Sequence, residues 1–114
     1  MYFEIPIPLS RATIVDSEFT RSVGILGEIR GIEFFARRGY EIFLPFNSNA
    51  FCDFIAYKNK QMFRVEVKTI KRNVYADGYR IPQTNPDNYD LLAIVLRNPD
   101  EVDVYDNLGK KTEV

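Results

Sequence analysis

Three residues in two neighbouring segments have the types and spacing of a small charged site. Asp53 lies in the apolar run FCDFIA, and Glu66 and Lys68 follow in the run VEVKT. Aspartate is uncommon in strands, and one among large apolar side chains normally needs a partner. Residues two apart in a strand share a face, so the glutamate and the lysine would project together. A Glu-x-Lys pair alone is typical of a solvated strand surface, but the aspartate thirteen residues upstream favours a shared site.

A third carboxylate, Glu28, lies in a glycine-containing segment with helical periodicity. Three carboxylates that converge repel one another unless a lysine or a cation neutralises them. The 114-residue chain has no histidine and one cysteine, which excludes Ser-His-Asp and Cys-His catalysis, a tetrahedral zinc site and a disulfide framework. Because oxygen ligands suit hard cations, the composition predicts Mg²⁺ or Mn²⁺ as the ion.

The element that must position Glu28 is a helix predicted from Ser17 to Arg38, with Ser17 as its N-cap and Gly39 as the residue that ends it. Advancing about 100° per residue gathers one apolar arc that would face the core. Phe34 falls on the opposite side of the helix. The arc consists of Ile25, Ile29, Ile32 and Ala36, with Leu26 and Phe35 at its flanks.

Gly24, Gly27 and Gly31 form a second stripe along the same helix. Each costs the helix about 1 kcal/mol relative to alanine, so the stripe indicates that another element approaches the backbone closely. Glu28 falls inside the apolar arc rather than on the solvent side. Two interpretations stay open: Glu28 belongs to a functional site, or the helix packs tightly on a sheet and Glu28 reaches solvent at the edge.

Alternating apolar segments bounded by turn residues predict five strands, at 40–46, 51–57, 62–70, 89–96 and 101–105. A further strand at 1–5 is confined to a sheet edge because Pro6 and Pro8 follow it. The polar stretch 71–88 is rich in turn residues and shows no helical pattern. The predicted fold class is α+β, with one main helix packed on a mixed sheet of about four or five strands, in a single domain over residues 1–114.

The hairpin of the second and third strands decides whether the charged site forms. If Asn59 and Lys60 form a two-residue loop, Asp53 lies opposite Glu66 and shares a face with it and with Lys68. A slip of one residue would separate the two carboxylates.

The order of these pieces resembles the PD-(D/E)XK nuclease superfamily. The resemblance runs from Gly24 to Thr69, and the run YDLLAI at 89–94 resembles a later core strand of that superfamily. Small archaeal Holliday-junction resolvases and intron-associated homing nucleases are the most similar families. The resemblance implies a restriction-endonuclease-like core and a metal-dependent endodeoxyribonuclease that hydrolyses phosphodiester bonds in duplex or branched DNA.

The resemblance also implies roles for individual residues. Asp53 and Glu66 would ligate the metal directly, with the Val67 backbone carbonyl as a third ligand. Glu28 would bind a metal-bound water or a second ion. Lys68 would orient or deprotonate the attacking water, or neutralise the phosphate in the transition state.

A net charge of −1 gives no overall attraction to nucleic acid, so a local basic surface must hold the DNA. Residues 1–80 contain 12 basic and 9 acidic residues, whereas residues 81–114 contain 3 and 7. The basic half also carries the candidate site. Its basic and short polar side chains are candidates for phosphate contacts, although ordinary solvation explains the arginine pair and the Lys-Arg pair equally well. The candidates are Arg37, Arg38, Asn47, Ser48, Thr69, Lys71 and Arg72.

Size and resemblance together predict a homodimer, because a chain this small covers only a short stretch of duplex. No secretion signal or membrane-spanning stretch is visible, which predicts a soluble cytoplasmic protein. The alternatives are a catalytically inactive nucleic-acid-binding domain and a protein-interaction domain on the same fold. An Asp53→Ala variant is expected to separate them: it leaves a metal-site protein stable, but it costs about 1–3 kcal/mol where the aspartate is a structural hydrogen-bonding group.

Overall fold

The computed structural model describes residues 11–47, 49–71, 78–97 and 101–114, with side chains from residue 22 onward except at residue 71. Helix α1 (Arg11–Arg37) packs on one face of a six-stranded sheet. The predicted edge strand at 1–5 lies outside the described residues. The strands are β1 (Glu41–Phe43), β2 (Phe54–Lys58), β3 (Gln61–Lys71), β4 (Leu91–Arg97), β5 (Glu101–Asp106) and β6 (Lys111–Thr112).

The strands lie in the sheet in chain order, and neighbours are antiparallel except for the parallel pair β3 and β4. This confirms the α+β class. The sheet is larger than expected, because Gly109, at φ +86°, lies in a turn that returns the last residues to pair with β5. A 3₁₀ turn (Pro86–Asn88) precedes β4. Within the described ranges, no helix has the length and apolar character needed to cross a membrane.

The helix ends where the sequence predicts but begins earlier. Gly39 has a φ of +88°, and its N–H donates to the Ala36 carbonyl at 3.0 Å, as expected of a glycine that ends a helix. The predicted start at Ser17 is wrong, since α1 begins at Arg11. A serine cap contributes only about 1 kcal/mol, and no proline or glycine between the two positions interrupts the helix.

The face that α1 turns to the sheet includes Gly27 and Gly31, so the predicted apolar arc is confirmed at Ile32 and Phe35 and is wrong for the rest. Gly27, Gly31 and Phe35 are buried, whereas Ile25 and Ile29 are 55% and 56% exposed. The helix presents its smallest residues to the sheet and approaches it closely, which rotates most of the larger apolar side chains outward. The arc and flank residues left exposed are Ile25, Leu26, Ile29 and Ala36.

Two of the three glycines are needed for this approach. A Cβ on Gly31 would lie 2.9 Å from Cγ2 of Val67, and a Cβ on Gly27 would overlap Oγ1 of Thr69. A Cβ on Gly24 would meet nothing within 4 Å. The expected close approach is therefore confirmed at Gly27 and Gly31, and the neighbouring element is β3.

Phe35 is the centre of the core between α1 and the sheet. It is fully buried and contacts Tyr40 and Phe54 edge-to-face, at centroid distances of 5.3 and 5.7 Å. Phe34, predicted on the far side of the helix, is half-buried against the same core, with Cζ of Arg38 3.4 Å from its ring centroid. The other buried members of this core are Ala56, Val65, Leu91, Ala93 and Val104.

A second apolar cluster covers the sheet face away from α1. Its buried members are Tyr89, Leu92, Ile94 and Leu96. Residues of β4 thus fill both cores, which confirms that β4 is a central strand. Ile70 packs against the second cluster, whereas Val67 and Thr69 lie against the helix. Because side chains alternate along β3, Glu66 and Lys68 project from the face away from α1.

The predicted hairpin register is confirmed. Asn59 and Lys60 form the two-residue loop with φ values of 54° and 66°, and Lys58 pairs with Gln61. Positive φ values at both loop residues give the turn a twist that matches the twist of the two strands it joins. The second strand begins at Phe54, three residues later than predicted, so Asp53 lies at its start.

Arg64 and Asp90 join β3 to the start of β4. The guanidinium donates from Nη2 to Oδ1 at 3.0 Å and from Nε to Oδ2 at 3.3 Å, and the Arg64 N–H donates to Oδ2 at 2.8 Å. Nη1 also donates to the Asp87 carbonyl at 3.0 Å, which fixes the turn before β4. These bonds hold the pKa of Asp90 below its usual value, against the opposing effect of burial.

Asp90→Asn is expected to lower the melting temperature by a few degrees at pH 7. The variant removes the charge that pairs with the Arg64 guanidinium but keeps a side-chain oxygen that can accept the Arg64 N–H. A depressed pKa contributes stability above the unfolded value of 3.8, and that stability is lost as the pH falls through the folded pKa. The melting temperatures of Asp90→Asn and wild type should therefore converge as the pH falls below 3.8 towards the folded pKa. Asp87→Asn, an exposed control on the same turn, should match wild type, and a difference that persists in acid would contradict the argument.

Candidate active site

Asp53 lies at the point where β2 begins beside the middle of β3. Its carboxylate oxygen Oδ2 accepts the Val67 N–H at 2.7 Å, and its own N–H donates to the Val65 carbonyl at 2.9 Å. The Asp53 side chain therefore accepts the β3 hydrogen bond that a backbone carbonyl of a neighbouring strand would otherwise accept. This arrangement explains why an aspartate is tolerated among apolar residues, since its carboxylate has a charge-assisted hydrogen bond.

Among the residues that the structure describes, no strand pairs with the second half of β3 on the side of β2. β2 starts at Phe54, which pairs with Val65, so the ladder stops two residues before Val67. In an extended strand the N–H and carbonyl of one residue point to the same side. The Val67 carbonyl therefore lies on the same open side as Asp53.

Glu66 projects beside this open edge, and the charges of Asp53 and Lys68 both affect its pKa. Burial raises the pKa of its carboxyl above the usual value, Lys68 lowers the pKa, and the charge of Asp53 raises it again. The predicted opposition of Asp53 and Glu66, with Lys68 close by, is present in the structure. The charges of Asp53 and Lys68 thus both act on the Glu66 carboxyl.

Glu28 is half-buried and approaches the group from the helix side. Burial raises the pKa of Glu28, and the charge of Asp53 raises it further. Glu66 points away from α1, so the sheet lies between the two glutamates and Asp53 at the edge interacts with each of them. Asp53 is thus the residue whose charge acts on both Glu28 and Glu66.

The structure does not gather Glu28, Asp53 and Glu66 into one metal-binding group. Among the described residues, no three His, Cys, Asp or Glu side chains are gathered closely enough to hold a metal. The oxygen donors that share the open edge are Asp53, Glu66 and the Val67 carbonyl. Protein sites for Mg²⁺ commonly use one or two carboxylates and leave several waters on the ion. Those three donors therefore fit such an ion, with Glu28 outside its direct ligands.

The candidate DNA-contacting residues are dispersed. Thr69 faces the helix, on the opposite side of the sheet from Glu66, and its hydroxyl packs against Gly27. Lys71 ends β3 just beyond the site. Asn47 is exposed in the connection between β1 and β2. Ser48 and Arg72 lie outside the described residues.

The arginines at the end of α1 have partners of their own. Arg37 forms an ion pair with Glu33 at 3.7 Å. Arg38 donates to the Phe34 carbonyl at 3.0 Å and lines a hollow with Val102 of β5. Lys58, at the end of β2 away from Asp53, donates to the Arg38 carbonyl at 2.7 Å, so Arg38 lies at the opposite end of β2 from the carboxylates.

The sequence pattern missed two exposed aromatic residues near Asp53. Phe46 and Phe51 are assigned by the pattern to strand ends, yet β1 stops at Phe43 and β2 starts after residue 53. Phe51 is 76% exposed and Phe46 is fully exposed. The signal that could have identified them is their position around the polar run Asn47-Ser48-Asn49, which favours a loop over a strand.

No protein-family model matches the chain, and no curated protein matches it in sequence. One solved structure is similar in fold: the bacterial homing endonuclease I-Ssp6803I, with a TM-score of 0.63 and 12% sequence identity. The match covers 83% of this chain and 79% of that protein. At this identity the likeness concerns the fold, which is thus one that a homing endonuclease also uses.

Proposed function

We propose that the protein is a metal-dependent endodeoxyribonuclease of the PD-(D/E)XK type. The observation that carries the proposal is the group at the open edge of β3. There Asp53 is bonded to the Val67 N–H, and Asp53 and Lys68 both act on the charge of Glu66. A fold shared with a homing endonuclease supports the same activity.

Asp53, Glu66 and the Val67 carbonyl would hold Mg²⁺ or Mn²⁺. Such an ion supplies Lewis-acid stabilisation of the phosphate and a water that is acidic near neutral pH. Burial is the main cause of the raised pKa of Glu66 and Glu28, and the charge of Asp53 adds to it. The ion would offset this second contribution.

The chain's own residues would then do three things. The Asp53 hydrogen bond holds the carboxylate against β3. Lys68, on the same face as Glu66, would place its ammonium against a phosphate oxygen or hold the attacking water by hydrogen bonding. Glu28 would hold a further water from the helix side, because it interacts with Asp53 and lies across the sheet from Glu66.

The substrate would be DNA, duplex or branched, and two copies of the chain would act together to cut both strands. The most direct test incubates the protein with supercoiled plasmid, single-stranded DNA and a four-way junction, each with Mg²⁺, Mn²⁺ or EDTA. We expect cleavage with either ion and none in EDTA. Sedimentation of the protein with uncleaved junction in EDTA would measure how many copies bind.

Lys68→Ala supplies the site-specific arm of that test. It should lose at least about 100-fold in cleavage rate, because the charge stabilisation in the transition state is lost. Lys60→Ala, in the exposed hairpin loop, is the matched control and should cut at the wild-type rate. Cleavage that survives EDTA or Lys68→Ala would contradict the proposal. If binding persists without cleavage on any substrate, an inactive nucleic-acid-binding domain becomes the better description.

A further inference from the structure

The connection between β1 and β2 carries two aromatic rings that the rest of the protein does not cover. Phe46 is as exposed as in an extended peptide, and Phe51 is 76% exposed. Covering an exposed phenyl ring removes apolar surface from water, so exposed rings on a loop often mark an interaction surface.

The fold places this connection next to the candidate active site. Phe43 pairs with Ile55 at the last rung of the β1–β2 ladder, so the chain leaves the sheet and returns to it beside Asp53. Phe51 precedes Asp53 by two residues. A polynucleotide whose phosphate lies at Asp53 and Glu66 would therefore have nucleotides within reach of the two rings.

The position of the two rings, rather than their exposure, favours a polynucleotide over a protein partner. Leu44 in the same connection is also 63% exposed, so exposure alone would fit either partner. Aromatic side chains that project beside a phosphate-binding site stack on unpaired bases or wedge between base pairs. The exposed apolar stripe of Ile25, Leu26 and Ile29 on α1 offers no comparable indication of its occupant.

We infer that Phe46 and Phe51 form a stacking surface for unpaired nucleobases and give the protein a preference for DNA with locally opened base pairs. The inference rests on the proposed nuclease function, since that function is what puts DNA at Asp53. It adds to that function a substrate feature, disrupted base pairing next to the cleaved phosphate.

The test compares two DNAs of equal length and sequence, one fully paired and one with a short central unpaired region. Binding is measured by fluorescence anisotropy in EDTA, so that no cleavage is needed. Wild type should bind the partly unpaired DNA about tenfold more tightly, and Phe46→Ala/Phe51→Ala should lose that preference while keeping its affinity for paired DNA. Phe46→Trp should keep the preference because its ring stacks as well.

Leu108→Ala is the matched control, since Leu108 is 90% exposed on the β5–β6 turn. It should leave the preference unchanged. All variants should melt at the wild-type temperature, because exposed rings add little to folding.

Three results would overturn the inference: no preference in wild type, a preference that survives in the double variant, or an equal loss on both DNAs. A change of oligomeric state in the double variant without DNA would show a protein interface instead. Binding preference and cleavage are separate readouts. A wild-type protein that prefers unpaired DNA but never cuts it would refute the proposed nuclease, and one that cuts paired DNA without preference would refute only this inference.

Discussion

Asp53→Asn is expected to reduce metal-dependent DNA cleavage by more than about 100-fold while leaving the protein folded. Changing a residue that merely orients a metal ligand already costs about 10–100-fold, and a direct ligand should cost more. Asparagine is nearly isosteric with aspartate and keeps an oxygen for the Val67 N–H, which donates at 2.7 Å in the wild type. The variant thus changes the charge and retains the hydrogen bond.

The structure shows why alanine is the wrong replacement at this position. Asp53→Ala would leave the Val67 N–H without its acceptor, at a cost of about 1–3 kcal/mol, whether or not Asp53 also binds a metal. The expectation that a metal-site aspartate can be truncated without loss of stability does not hold here. Asp53 has a structural hydrogen bond in addition to any catalytic role, so only the asparagine variant separates the two.

Removing the charge of Asp53 should also stabilise the metal-free protein slightly. That charge is one cause of the raised pKa values of Glu28 and Glu66. A carboxyl whose folded pKa is raised favours the fold below its unfolded value of 4.5, and that advantage is lost as the pH rises through the folded pKa. In EDTA at pH 7, the relief of repulsion in Asp53→Asn should therefore add up to about 1 kcal/mol, since both glutamates remain partly solvated. The weaker hydrogen bond of a neutral oxygen to the Val67 N–H offsets part of that gain.

Urea unfolding in EDTA at pH 7 and pH 4 measures that gain, which should shrink in acid. Asp87→Asn on the exposed turn before β4 is the control for loss of one negative charge, and it should change neither stability nor cleavage. Cleavage by Asp53→Asn at a rate near wild type would refute the proposed site. Loss of cleavage together with unfolding would show that the charge of Asp53 stabilises the fold, which contradicts the stability expected of this variant.

The parts of the fold that depend on local geometry were predictable from the sequence. Asn59 and Lys60 define the only tight loop in their segment, and a two-residue loop fixes the register that sets Asp53 opposite Glu66. Gly39 ends α1 because it adopts a positive φ that other residues avoid.

The parts that depend on packing between elements were not predictable. An apolar arc usually marks the buried face of a helix because large apolar side chains fill the core. Here Gly27 and Gly31 let α1 approach β3 more closely than a face with Ile25 and Ile29 could, and both isoleucines are exposed. Glu28 belongs to the helix and therefore lies on the helix side of the sheet, whereas alternation along β3 puts Glu66 on the opposite side. A spacing pattern identifies candidate carboxylates but carries no information on which side of a sheet each one lies.

Gly27→Ala is expected to destabilise the protein by up to about 2 kcal/mol, whereas Gly24→Ala, one turn earlier in the same helix, should stabilise it. Alanine is better than glycine in a helix by about 1 kcal/mol, and both variants gain that contribution. At Gly24 a new Cβ meets nothing within 4 Å, so the gain remains. At Gly27 the new Cβ would overlap the Thr69 hydroxyl, and the helix must move away from β3.

The size of the loss follows from what moves. Overpacking a tight interface costs about 1–3 kcal/mol, and here the strained atoms belong to a β-branched residue with restricted rotamers. Gly31→Ala should cost less than Gly27→Ala, because its Cβ would lie 2.9 Å from a Val67 methyl group, a smaller overlap. The predicted order of stability by urea unfolding is Gly24→Ala, wild type, Gly31→Ala, Gly27→Ala.

The double variant Gly27→Ala/Thr69→Ala identifies the cause. Removing the hydroxyl opens the space for the new Cβ, so the double variant should recover most of the stability lost in Gly27→Ala, with a coupling of at least about 1 kcal/mol between the sites. Equal effects of alanine at all three glycines would mean that helix propensity alone is at work and that α1 does not approach β3 closely. A destabilised Gly27→Ala without coupling to Thr69 would place the close contact on another residue.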